Sequence, residues 1–321
     1  MEQDNCKLYK HVFFPATEEA ENRVKSQGGR FVYYTTAETA IKIIQSRKVW
    51  LRTTQVMNDF TEVAHGIDCL KGVYKSPLGE KLNAVLDSYH HGLSEEVKAL
   101  FDSWMTNILT GTFVVSVSEH RPDEYKYGRL SMWRAYGGVS GVALVLNGGA
   151  MFRPSDALGV YTYPVNYWDC IGLTKTLEVV AQRLLDNPEF VQSLGKENLK
   201  QAFLDVLRIS AICTKHPAFG EEREWRVVAT PSMYPVKHLI QDVEVVGSIP
   251  QIVLKLGLED RPGDGLYGLN PDEFVDRVLI GPCEYPLTIR DALVSVLHDA
   301  GVPAPEDRIV VTGIPLRDNQ R

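Results

Sequence analysis

The chain has 321 residues, 44% hydrophobic and 23% charged, enough for one large or two ordinary domains with a sizeable core. A formal net charge of −7 argues against wholesale electrostatic binding to nucleic acid or acidic membranes, although it leaves room for a local basic patch. No apolar run approaches the roughly 20 residues of a membrane span, and the first residues lack the basic-then-apolar pattern of a secretion signal, so no membrane partner is expected.

Residues 1–30 are polar and close on Gln27-Gly28-Gly29, which suggests a loosely held lead-in. Residues 30–34 read as a strand, because Phe31, Val32, Tyr33 and Tyr34 are strong strand formers. A helix follows over 36–46, with Ile41, Ile43 and Ile44 at helical spacing and Thr35 or Thr36 as its cap. The chain then reads as a short strand at 48–53, helix over 80–108, an alternating strand at 112–118 and a buried strand at 142–146. Residues 161–167 are aromatic and strand-like, and 174–186 and 197–212 are amphipathic helices. Strands are expected at 225–229, 251–256, 277–280 and 308–312, with a helix over 288–300 closed by Gly301. The Pro- and Gly-rich stretch 260–271 reads as a long loop.

Strands and helices do not alternate regularly, so the expected class is α+β rather than a doubly wound sheet. We expect one continuous domain over 31–315 with a helical insertion near 170–212, followed by a tail at 316–321. The five cysteines (Cys6, Cys69, Cys170, Cys213 and Cys283) are odd in number, far apart and without C-x-x-C spacing. They read as reduced thiols of a cytoplasmic protein, and no cysteine–zinc site is expected.

The most informative stretch is Phe219-Gly220-Glu221-Glu222-Arg223-Glu224-Trp225-Arg226-Val227-Val228. If it runs as a strand, Glu222, Glu224 and Arg226 share one face and Arg223, Trp225 and Val227 the other. Charge at a buried strand mouth is costly unless it is paired or used, so an ion-paired strand end and a reactive carboxylate are both open.

Four other blocks carry candidate chemistry. Tyr33-Tyr34-Thr35-Thr36 ends a strand where a helix begins, and hydroxyls with free backbone N–H groups there suit a ribose or an anion; buried tyrosines beside an ordinary cap are the plainer reading. Asn58 and Asp59 form turn chemistry that would aim Asp59 and Glu62 beside the preceding strand; a structural turn outweighs a metal site, since no second cluster has ligand spacing. Ser116 and Ser118 share a strand face, which implies solvent or a site; His120 next to Glu119 is a candidate base, with an exposed loop the plainer reading because Arg121-Pro122-Asp123 follows. Trp133 and Tyr136 form an aromatic pair at i and i+3 that packs in a core or stacks on a ligand ring. Phosphate-loop, dinucleotide-fingerprint and G-x-S-x-G motifs are missing, which disfavours the classes that depend on them.

The order of these blocks resembles a bacterial family called domain of unknown function 2971. Its members tend to carry an aromatic strand near the start, an N-D-P-x-E turn, an S-F-S-E-like strand, an L-W-x-x-Y segment and a late E-x-E-W-R. Here these read Tyr33-Tyr34-Thr35, Asn58-Asp59-Phe60-Thr61-Glu62, Ser116-Val117-Ser118-Glu119, Met132-Trp133-Arg134-Ala135-Tyr136 and Glu222-Arg223-Glu224-Trp225-Arg226. Val278–Pro282 with Gly281 also fits, so the resemblance spans roughly 30–315. This chain departs from the pattern at Phe60 and Met132.

That layout is similar in turn to the ADP-ribosyltransferase superfamily. The similarity implies split mixed and antiparallel sheets with flanking helices, and NAD as substrate. It places Tyr33 and Thr35 where the family has H-x-T, Ser116 and Ser118 on the middle strand and Glu224 in the catalytic position. Tyr33 in place of histidine is a departure. Glu222 would orient the acceptor or act as its base, Trp133 or Tyr136 would stack on nicotinamide, Arg226 would neutralise a carboxylate or contact pyrophosphate, and Tyr34 would line the cofactor site. The implied activity is transfer of ADP-ribose from NAD to nucleic acid or protein, as in a bacterial toxin or phage-defence effector with an antitoxin or regulatory partner, and no metal is expected. A NAD glycohydrolase with the same site and a non-enzymatic scaffold or sensor are the alternatives.

Overall fold

Val12, Phe13, Ala20 and Val24 recur at helical spacing near the start of the chain and are all buried. The computed structural model, which describes residues 2–56, 60–153 and 158–315, therefore begins with two helices rather than a loose lead-in. They are α1 (Glu2–Phe13) and α2 (Pro15–Ser26), the second opened by a proline at its first turn. Their apolar stripe is too sparse, among so many charges, to stand out from a polar segment.

There follow β1 (Arg30–Thr36), α3 (Ala37–Ser46), β2 (Lys48–Thr53), α4 (Phe60–Tyr74), α5 (Pro77–Tyr89), α6 (Leu93–Thr110) and β3 (Phe113–Glu119). The middle of the chain gives α7 (Leu130–Tyr136), β4 (Ser140–Asn147), β5 (Val160–Pro164), β6 (Asn166–Tyr167), α8 (Cys170–Asp186), α9 (Pro188–Ile212), β7 (Thr214–Lys215) and β8 (Glu224–Ala229). The last part gives β9 (Leu239–Val246), β10 (Ile249–Gly257), α10 (Pro271–Phe274), β11 (Val275–Cys283), α11 (Pro286–Asp299), α12 (Pro305–Arg308) and β12 (Ile309–Val311). The mixed α+β class expected from the sequence is thus observed.

The chain divides into two compact units rather than one continuous domain. The first joins residues 1–22, 53–112 and 163–220 and is mainly helical. Within it α9 packs against α4 and α6, burying Leu199, Phe203 and Leu207, and β6 pairs in parallel with β7. The helices expected as an insertion near 170–212 are α8 and α9 of this unit, which also takes in α4, α5 and α6. Three separate stretches of chain build it, which a linear reading of one helical block does not anticipate.

The second unit joins residues 23–52, 113–162 and 221–321 and holds the large sheet. Its strand order is β12-β11-β4-β1-β3-β2-β10-β9, with β8 paired to β3 and β5 to β8. β11 and β12 are parallel, whereas β1·β3, β1·β4, β4·β11, β3·β8, β2·β10 and β9·β10 are antiparallel. β3 accordingly touches β1, β2 and β8. The entry to α3 follows the expected cap, with Thr36 Oγ1 accepting from the backbone N–H of Thr39 at 3.3 Å.

Trp133 of α7 sits on β1 and β4, against Val32, Tyr34, Ala143 and Val145. Its indole presses on Gly281, where an added Cβ would lie 2.6 Å from the ring. A rigid, buried ring cannot yield as a flexible side chain does. Gly281→Ala is therefore expected to lower stability by about 1–3 kcal/mol in denaturant unfolding, with partial recovery on adding Trp133→Phe. An unchanged unfolding midpoint for Gly281→Ala would show that the indole is free to shift.

Candidate functional site

Side chains alternate across a strand, so register decides which residues can meet. β3 and β8 pair Ser116 with Arg226 and Ser118 with Glu224, and β1 meets β3 at Val32 and Ser118. Val32, Tyr34, Ser116, Ser118, Glu224 and Arg226 consequently share one face of three neighbouring strands. Phe31, Tyr33, Thr35, Val115, Val117, Trp225 and Val227 share the opposite one. Of the expected ribose-binding residues, Tyr34 joins Glu224, while Tyr33 and Thr35 do not. The sequence shows two adjacent tyrosines and gives no parity by which to choose between them.

Glu224 is 6% exposed and Arg226 is 2% exposed. Ser116 Oγ donates to Glu224 Oε1 at 2.5 Å, Arg226 Nε donates to the same oxygen at 2.8 Å, and Arg226 Nη2 donates to Oε2 at 3.2 Å. Charge-assisted bonds of this kind are what make a buried carboxylate tolerable. Arg226 thus takes the neutralising role weighed from the sequence.

Glu222 departs from the expected alternation. It ends a 3₁₀ turn, Pro217–Glu222, and Arg223 follows in the left-handed region at φ 46°. This region is unfavourable for a non-glycine residue and holds only where neighbours enforce it. The enforcement is visible. Arg223 pairs with Glu124 through Nη2, and its carbonyl accepts from the N–H of Glu119 at 2.9 Å. Ser118 Oγ donates to the Glu222 carbonyl at 2.7 Å, whereas the Glu222 carboxylate accepts from Tyr136 Oη at 3.2 Å.

Arg129 closes the arrangement from the chain just before α7. Its backbone N–H donates to Tyr34 Oη at 2.8 Å, and its guanidinium donates to the carbonyls of Glu221, Glu222 (3.2 Å) and Glu119 (3.4 Å). One arginine thereby ties β1, the end of β3 and the approach to β8. Burial raises the Tyr34 phenol above its ordinary value, opposed by the Arg129 N–H. Burial also lowers Arg129, assisted by the charge of Arg223.

Trp133 is 4% exposed, its Nε1 donates to the Tyr127 carbonyl at 2.8 Å, and its ring meets Tyr34 edge-on at 4.9 Å. It is a core residue, and of the aromatic pair Tyr136, 39% exposed, is the one open to a ligand. Asn58 and Asp59 lie outside the described residues, and Glu62 falls in α4 with its side chain likewise undescribed.

His120 is not in an exposed loop. It is 2% exposed, because its N–H donates to the Arg30 carbonyl at 3.0 Å and continues the β1–β3 pairing by one residue. Its ring stacks on Tyr125 at 5.2 Å and 16°, and neither ring nitrogen has a hydrogen-bond partner. Burial, then the charges of Arg277 and Arg129, push its pKa down to about 4. Sequence reasoning misplaced His120 and missed Glu124 and Arg129. Glu124 left a weak signal, since it lies three residues after Arg121 and accepts from that residue's N–H at 3.0 Å. Arg129 left none.

A family model described as "Protein of unknown function (DUF2971)" matches residues 132–227, a shorter stretch than the 30–315 expected. No curated protein and no solved structure matches the chain. The matched stretch runs from α7 into β8. It therefore includes Trp133, Tyr136, Glu222, Glu224 and Arg226 and leaves β1 and β3 outside.

The depressed His120 pKa fixes a sign for acid sensitivity. Between the ordinary value of 6.5 and about 4 the unfolded chain binds a proton that the folded chain does not, so stability falls as pH drops through that window. Lowering pH from 7 to 5 is expected to cost about 2 kcal/mol through this residue alone. His120→Phe should flatten that part of the profile in denaturant titrations; an unaltered profile would place the acid sensitivity elsewhere.

Proposed function

We propose that the chain is a NAD-consuming ADP-ribosyltransferase that passes ADP-ribose to a macromolecular acceptor. The observation that carries this reading is the shared face of β1, β3 and β8, on which Tyr34, Ser116 and Glu224 occupy successive strands and Ser116 donates to Glu224 at 2.5 Å. The resemblance implies Tyr33 and Thr35 on the first strand, and these lie on the opposite face, whereas Tyr34 shares the face of Ser116 and Glu224. Tyr34 replaces Tyr33 as the first-strand residue. The three-strand arrangement also supports an ADP-ribosyltransferase-like fold for the sheet unit.

The chemistry follows from the charge. When the bond from the ribose to nicotinamide breaks, its electron pair leaves with nicotinamide and the ribose ring becomes positive. A carboxylate against the ribose 2′-hydroxyl stabilises that charge electrostatically, and one such preorganised group is often worth about 3–4 kcal/mol. The Glu224 carboxylate takes this role, with Ser116 and Arg226 fixing its orientation. Arg226, beside that carboxylate, faces the pyrophosphate. Tyr136 stacks on nicotinamide, and Glu222, hydrogen-bonded to Tyr136, orients the acceptor.

A second reading has its own observation. With Glu224 6% and Arg226 2% exposed, the pair has the burial of a purely structural ion bridge in a scaffold or sensor.

One pair of variants separates the two. Glu224→Gln alone leaves Arg226 charged and buried, a change that typically costs about 3–5 kcal/mol, so loss of activity there would be ambiguous. Replacing both by apolar residues, Glu224→Leu with Arg226→Met, is often neutral for folding. Transferase action predicts that wild type releases nicotinamide from NAD and labels an acceptor. The double variant should keep its unfolding midpoint and lose at least about 100-fold in release. Release without labelling would make the enzyme a glycohydrolase, and wild type without release would leave only the structural bridge.

A further inference from the structure

The face of the sheet opposite Glu224 encloses a second feature. Tyr33, Val115, Val117, Leu144, Val227 and Leu256 wall a cavity of about 100 Å³ inside the sheet unit. Ala150, Arg153 and Tyr267 line this cavity and also an adjoining polar recess of about 590 Å³. The recess carries Asp272, Glu273, Asp276 and Arg308. An apolar chamber that shares three wall residues with a charged vestibule is the form of a small-molecule site.

The charges left over in the vestibule decide the class of ligand. Asp276 pairs with Arg30 at 3.2 Å and with Arg277 at 3.2 Å. Arg308 spends its Nη1 on the carbonyls of Asp272 and Val275. Among the described residues, the carboxylates of Asp272 and Glu273 have no ion-pair partner. Arg153 has no carboxylate partner either; it donates to the Tyr267 carbonyl at 3.4 Å and lies over that ring at 5.9 Å. The recess therefore offers the Arg153 and Arg308 guanidiniums and two carboxylates together, with Arg153 alone also lining the chamber, which matches a ligand bearing one negative and one positive group side by side. The chamber is smaller than the roughly 150 Å³ that accepts a benzene ring, so it takes a side-chain-sized apolar group and not a lipid tail.

We propose that this cavity binds a free α-amino acid with an apolar side chain, the side chain in the chamber, the α-carboxylate on Arg153 and the α-ammonium on Asp272 and Glu273. The site lies on the opposite face from Glu224 and does not depend on NAD chemistry.

The test uses the full chain and three matched probes: L-leucine, 4-methylpentanoate, which lacks the ammonium, and 3-methylbutylamine, which lacks the carboxylate. In calorimetric titration, L-leucine is expected to bind at least tenfold more tightly than either truncated probe. Asp272→Asn with Glu273→Gln should bring L-leucine down to the affinity of 4-methylpentanoate. Ala150→Phe, which plugs the neck, should abolish binding while its thermal midpoint stays within a few degrees of wild type. No heat with L-leucine, L-valine or L-methionine would overturn the proposal, as would equal binding of the three matched probes.

Discussion

A carboxylate and a guanidinium two residues apart on a buried strand are tolerable only when each satisfies the other, and the Glu224–Arg226 pair is the constraint around which the sheet unit is arranged. The pair requires Ser116 opposite Arg226, because a serine hydroxyl can meet Glu224 where valine could not. It also requires β8 to begin at Glu224, and the left-handed backbone at Arg223 sets that start. The buried charges thus fix register, and a slip of one residue would exchange the polar and apolar faces of β3 and β8.

Arg129 extends the same logic to β1 and the turn. Its two terminal guanidinium nitrogens reach three carbonyls, and its own N–H donates to the Tyr34 hydroxyl. Such a fork is pre-organised in a way that a lysine is not. Arg129 and Glu124, both buried, and the partly buried Arg223 form a cluster in which two cations share one acid, and His120 beside them is kept neutral by burial and by the surrounding positive charge. Perturbed groups of this kind gather at functional sites more often than elsewhere.

The strands of the large sheet were legible because β-branched and aromatic runs announce themselves. β1, β3, β4, β8, β10, β11 and β12 all fall where those runs lie. The helices α1 and α2 were not legible, since few apolar residues punctuate their charges, and β9 carries its own mixture of acids and valines. The division into two units was hidden as well, because each unit is assembled from separated stretches. For the site, the Glu-x-Arg motif and the serines on β3 were readable from composition and alternation. The choice of Tyr34 over Tyr33, the core position of Trp133 and the burial of His120 depend on strand parity and on what packs above, which local sequence does not encode.

The two faces of the sheet make opposite demands, one polar and cross-linked by hydrogen bonds, the other apolar and incompletely filled. The polar face is where NAD is proposed to bind. Hydrogen–deuterium exchange with an NAD analogue whose ribose ring oxygen is replaced by methylene would locate the nucleotide without consuming it. Nucleotide bound at Glu224 slows exchange in peptides covering 30–36, 116–136 and 221–226. Unchanged exchange there, or slowing confined to 144–153 and 256–275, would contradict it.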